Sequence, residues 1–192
     1  MRRRTFDILV SVGALVLVAL FCVAGGLLLW GRSYTHDQVS SELAAQKIFF
    51  PPANSPAIAA PEFAPMHQYA GQQLTTGPQA KVYANSFIAN HLKEVANGQT
   101  YAQVSGQLQQ DPNNAQLQKQ TQTLFQGETL RGLLLSAYAF WTLGSIAGWA
   151  ALAAFIAAGL LLILAVFGFI HSRRVSQREE LLAPSEEAAE AA

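Results

Sequence analysis

The sequence predicts an all-α membrane protein: two transmembrane helices with a small extracytoplasmic helical cap, formed partly by an outer extension of the second helix. Three observations predict it. Charged residues make up only 12% of the 192-residue chain, about half the usual share, and the shortfall is concentrated in two blocks. Each block is long enough to cross a bilayer. Arginines flank both blocks on the outer sides of the sequence, Arg2, Arg3 and Arg4 before the first and Arg173, Arg174 and Arg178 after the second. The positive-inside rule puts both groups in the cytoplasm, as expected for a multi-pass protein of a bacterial cell membrane.

The first block, 8–30, is a run of 23 residues without a charge. About 20 apolar residues cross roughly 30 Å of hydrocarbon, so this run spans with a little tilt. Residues 1–7 are the cytoplasmic N-terminus, with Asp7 at the boundary. A cleaved signal peptide has a shorter apolar core ending in small residues. Here Ala24-Gly25-Gly26 is followed by the further apolar residues Leu27 to Trp30, and the bulky Phe21 precedes Cys22 where a lipoprotein site needs a small residue. An uncleaved anchor is expected. Cys22 is the only cysteine, which excludes an internal disulfide and any Cys-based metal site.

The second block runs from Gly132 to Ile170 with no charge, Pro, Asn or Asp. As one helix it is about 58 Å long, nearly twice the hydrocarbon thickness. A hairpin turning near Gly144-Ser145 would carry the trailing arginines outside, against the positive-inside rule, and would leave backbone groups unpaired in lipid. One span over 148–170 is favoured, with Trp149 at the outer interface and Trp30 and Tyr34 forming a matching belt. Residues 132–147 then extend the helix outward. Their Leu133, Leu134, Leu135, Tyr138, Phe140, Trp141, Leu143 and Ile146 need cover from the rest of the outer region, from another copy or from a partner.

Residues 31–131 form the extracytoplasmic helical region. Thr35 with Gln38 reads as a capping box opening a short helix. A Pro-rich stretch over 51–78 reads as an extended loop, pinned by Phe49, Phe50, Phe63 and Tyr69. Over 79–97, Ala84, Ile88, His91/Leu92 and Val95 make one apolar helical stripe, and Asn97-Gly98 stops it. Thr100 and Gln103 cap a further short helix. Asp111-Pro112 reads as the start of the long second helix, on which Glu128 and Arg131 pair across one turn. Residues 171–192 begin basic and turn acidic, with five Glu after Arg178, and read as a solvated cytoplasmic tail.

No chemistry-bearing constellation is visible. His36, His67, His91 and His171 stand at no metal-ligand spacing, and neither a nucleophile elbow nor a phosphate loop is present. No cofactor is called for. His36, beside Asp37, reads as helix-end chemistry, His91 as a packed histidine. The zero formal net charge gives no reason to expect nucleic acid. Neither span has an ionisable residue in its middle, which argues against ion-coupled transport. Gly144 and Gly148 make a G-x-x-x-G among alanines, a spacing that lets helices approach closely.

The segments KVYANSFIANHLKEVANGQTYAQVS and TLFQGETLRGLLLSAYAFW resemble uncharacterised two-span envelope membrane proteins of actinobacteria, over residues 81–141. The resemblance implies a membrane location and no activity. The expected role is non-enzymatic: an accessory or scaffold protein that associates with itself or with a larger envelope complex. Its contact residues are expected to be Leu134, Tyr138 and Trp141 on the outer extension, and Gly144, Gly148 and Ala151 for close helix approach. Two rivals are an oligomeric two-span channel and an outer-face lipid-binding or sensor module using a pocket between the 79–97 helix and the extension. An enzyme ranks last, since no nucleophile, base and orienting group assemble.

Overall fold

The computed structural model describes residues 3–174; the expected acidic tail from residue 175 onward lies outside the described residues. Helix α1 (Arg3–Ala45) is followed by two 3₁₀ turns (Pro56–Ile58 and Pro61–Tyr69) and α2 (Gly77–Val82). A π-helical turn (Tyr83–Ile88) leads into α3 (Ala89–Val95), then α4 (Tyr101–Gln110) and α5 (Ala115–Arg174). Among the described residues there is no strand, only one antiparallel bridge between Phe49 and Gln73. Helices α1 and α5 are both long and apolar enough to cross a membrane. The chain divides into two compact units, one of residues up to Gly31 and from Ala147, the other Arg32–Ile146.

The first unit pairs the apolar part of α1 with that of α5. Its burial is the reverse of a water-soluble core. Ala151, Ala158, Ala165 and Ser172, each seven residues from the next, are buried, as a seam repeating every 3.5 residues requires. Opposite them Ser11 and Gly25 are buried, with Val18 half-buried midway. A Cβ on Gly25 would lie 2.9 Å from the Phe155 ring, and one on Gly168 would collide with the Ser11 hydroxyl. The two helices therefore run antiparallel at close range. The large residues Leu9, Leu20, Leu27, Leu160, Leu164 and Phe167 face outward. Only 17% of the most apolar window of α5 is buried, whereas the core helix of a soluble domain is mostly buried. Near the end of the pair, Asp7 Oδ2 is buried without a hydrogen bond, and His171 Nε2 stands 4.0 Å away.

The second unit has a conventional apolar core. Phe50, Ile58, Met66, Leu74, Val104 and Leu124 are its largest fully buried side chains. Several elements differ from the sequence-based expectation. No helix starts at Thr35: α1 continues through it, and the Thr35 hydroxyl donates to Arg32 O at 3.0 Å. A Thr inside a helix can bond back to its own preceding turn, so a cap-like residue does not by itself stop a helix that core packing of Val39 and Leu43 carries onward. Asp111-Pro112 does not open α5 either. Asp111 ends α4, and Asn114 is the cap, its Oδ1 accepting from the backbone N–H groups of Gln116 and Leu117 at 3.1 Å. The α5 helix then passes through Gly144-Ser145 without a turn.

The Pro-rich stretch is not extended. It folds into the two 3₁₀ turns, which bury Ile58, Phe63 and Met66, and its ends are pinned together. Phe50 N–H donates to Gln72 O and Leu74 N–H to Ile48 O, both at 2.9 Å. Gln73 Nε2 also donates to Ala44 O at 2.9 Å, satisfying a carbonyl in the last turn of α1. Phe50, Phe63 and Tyr69 pack inward, but Phe49 is exposed, because alternate residues of this bridged segment point to opposite sides. The stop at Asn97-Gly98 is present: both have positive φ, and Gly98 N–H reaches Lys93 O at 2.7 Å, closing the helix in a Schellman motif. The capping box of Thr100 with Gln103 and the Arg131–Glu128 pair at 3.1 Å are also in place.

Candidate interaction site

The outer part of α5 within the second unit carries most of the expected contact residues. Leu134 is 3% exposed and belongs to the core with Val39 and Leu43 of α1. Tyr138 is half-buried. Lys81 Nζ donates to its hydroxyl at 3.4 Å and lies 4.7 Å from its ring centroid. That hydrogen bond, with the nearby Thr142 hydroxyl and the lysine charge, holds the Tyr138 phenol below the ordinary tyrosine range. Burial pushes the Tyr83 phenol the other way.

Trp141 is held from two sides. The His36 ring stacks on it, with centroids 3.9 Å apart and planes 6° from parallel. His36 Nε2 lies 3.1 Å from Trp141 O and 3.3 Å from Ser145 Oγ. A carbonyl only accepts, so Nε2 carries the proton and donates to it. On the other side, a Cβ on Gly77 would collide with Trp141 Cβ, so the first residue of α2 must be glycine for the indole to sit there. His36 is thus a mid-helix packing residue, not helix-end chemistry. A Cβ on Gly144 would collide with the Thr35 hydroxyl and the His36 ring. Gly148 and Ala151, in the first unit, are buried as well. Gly144, expected to receive another helix, already receives α1 of its own chain.

What remains exposed is different. Leu133, Phe140, Leu143 and Ile146 stand on the surface of α5. Beside them an apolar groove of about 530 Å³ runs between the 34–48 segment of α1, including the turn that follows it, and residues 130–140 of α5. The expected pocket between the 79–97 segment and α5 is closed instead: Ala84, Ile88 and Leu92 are buried, and Leu92 presses on Gly127 so closely that a Cβ there would overlap it. The aromatic rings of Phe50, Tyr83, Phe87 and His91 fill the adjoining space with centroid spacings of 4.3–5.4 Å.

Sequence reasoning took His36 for helix-end chemistry and missed the groove, the π turn and the capping box that opens α2. Two signals were available: Thr76 and Gln79, which form a capping box with Pro at the second helical position, and the Thr35, Gln38, Glu42, Gln46 series on one helix face. The His36–Trp141 pairing joins positions 105 residues apart and leaves no local trace. Among the described residues, no group of three His, Cys, Asp or Glu could hold a metal ion. No known protein family, curated protein or solved structure matches the chain.

Proposed function

We propose that this chain is a two-span integral membrane protein of the bacterial cell membrane, with both termini cytoplasmic. In this reading the Arg32–Ile146 unit is an extracytoplasmic module that docks another membrane protein in a non-enzymatic, accessory role. The observation that carries the reading is the inverted burial of the first unit, with small residues inside and large apolar ones outside. In water such a surface is an aggregation site; in lipid it is the ordinary arrangement, since helices there associate through small residues and gain nothing by hiding leucines. At 60 residues α5 is about 90 Å long, three times the hydrocarbon thickness, so a large part of it stands outside.

Docking is supported by Leu143 and Ile146, which lie on α5 just before the expected span 148–170 and are 59% and 58% exposed. Such a ridge is covered by another apolar surface wherever it leaves the bilayer. The topology is tested by single-cysteine labelling in a Cys22→Ser background with a membrane-impermeant reagent. A cysteine at Gln107 should label from outside intact cells, and one after Ala192 only after lysis. Labelling of the C-terminal cysteine in intact cells would overturn the topology. For docking, a photo-crosslinking side chain at Leu143 should yield a discrete protein adduct, whereas adducts to lipid alone would remove the accessory role.

A further inference from the structure

We infer that the groove between α1 and α5 in the second unit holds one acyl chain of a membrane lipid, an inference that rests on the membrane reading above. Its volume of about 530 Å³ lies within the roughly 300–1,000 Å³ of small-molecule sites. Val39, Leu43, Ile48, Leu134, Ala137 and Phe140 supply the apolar lining.

The polar groups of the groove lie along one edge. Thr35, Gln38, Glu42 and Gln46 recur at helical spacing on α1, with Gln38 Nε2 donating to Glu42 Oε1 at 3.1 Å. An apolar trough with hydrogen-bonding groups on one margin suits a molecule with a tail and a polar head. No Lys or Arg lines it, and Glu42 is its one charged side chain. An ammonium-bearing head fits that margin better than an anionic one. A bilayer crossed by α1 and α5 would present such molecules continuously, whereas a water-borne apolar ligand would have to be captured from dilute solution.

The test is native mass spectrometry of the full chain from dodecyl maltoside micelles containing dipalmitoyl phosphatidylethanolamine. The expected result is a single lipid adduct per chain that survives activation stripping the annular lipid. Ala137→Phe fills the groove and should lower adduct occupancy about tenfold or more. Leu133→Trp, at an exposed lining position, carries the same test should the first variant fail to fold. Leu143→Trp, outside the groove, should keep the adduct. A folded wild-type chain without an adduct, an adduct unchanged by both filling variants, or a lipid-free dimer dissolved by them would overturn the inference. Release of the chain from vesicles by alkaline carbonate would instead overturn the membrane reading, whatever the adduct shows.

Discussion

At the scale of single residues, the outer part of α5 is positioned by what its neighbours lack. Trp141 fits because Gly77 has no Cβ to meet it, and Gly144 lets Thr35 and His36 of α1 come in close. Gly77→Ala should therefore destabilise the protein by about 1–3 kcal/mol, the usual cost of overpacking. Gly106 lies in the interior of α4 with nothing within 4 Å of a built Cβ. Gly106→Ala should raise stability by roughly 0.5–1 kcal/mol by reducing unfolded-chain freedom. Opposite signs for the same chemical change, read by urea unfolding in micelles, check the packing directly; equal signs would contradict it.

The two perturbed tyrosines give a pH test at the same scale. Tyr138 should be the earliest phenol to ionise, with Tyr83 among the late ones, so Tyr138→Phe should delete the low-pH edge of the tyrosinate absorbance curve. Lys81→Met should move that edge upward. For Tyr83 the folded value is raised, so its contribution to stability is complete below the ordinary tyrosine value and is lost as pH rises through the folded one. Tyr83→Phe should accordingly soften alkaline unfolding. An unchanged alkaline midpoint would mean that the ring is not desolvated as described.

At the scale of elements, caps and seams decide where helices stop and how closely they pair. Asn114, not Asp111, caps α5, so Asn114→Ala should cost about 1 kcal/mol and Asp111→Ala about 0.5 kcal/mol or less. Ala158→Leu should force the α1–α5 pair apart at about 1–3 kcal/mol, while Leu160→Ala on the outward face should be nearly silent. Disulfide trapping between cysteines placed at positions 25 and 155 should be lost in the first variant and kept in the second. The long apolar blocks, the 100–103 capping box, the 97–98 stop and the Ala84, Ile88, Leu92 part of the stripe were legible in the sequence because each rests on residues within one or two turns, whereas Val95, expected on the same stripe, is exposed at the end of its helix. Thr35 and Asp111 misled because a cap is worth only about 1 kcal/mol, less than the packing that carries α1 onward or shifts a start by three residues. The Pro-rich stretch hid its 3₁₀ turns because its order comes from backbone bonds between 48–51 and 71–74, a pairing with no sequence period. Leu134, Tyr138 and Trp141 stood out in the sequence only as apolar residues needing cover, with nothing to say that the same chain supplies it. What covers them, His36, Lys81 and Gly77, comes from distant segments.

At the scale of the whole molecule, the two units bury opposite kinds of side chain, small ones in the first and large apolar ones in the second, and each should respond to perturbation in its own way. Urea acts by solvating apolar and peptide groups in water. It should therefore unfold Arg32–Ile146, erasing the near-ultraviolet signal of the stacked Trp141, while amides between Ala151 and Gly168 stay protected from hydrogen exchange in the bilayer. Simultaneous loss of both would indicate one cooperative body.

The small-residue seam of the first unit has a thermal consequence. In the proposed membrane location, closing it expels lipid tails rather than water, so the attraction there comes from dispersion between well-fitted surfaces and lacks the hydration signature that makes aqueous cores weaken in the cold. Separating α1 from α5 in a membrane should accordingly show almost no heat-capacity increment, and chilling should leave the hairpin as tightly shut as it is at growth temperature.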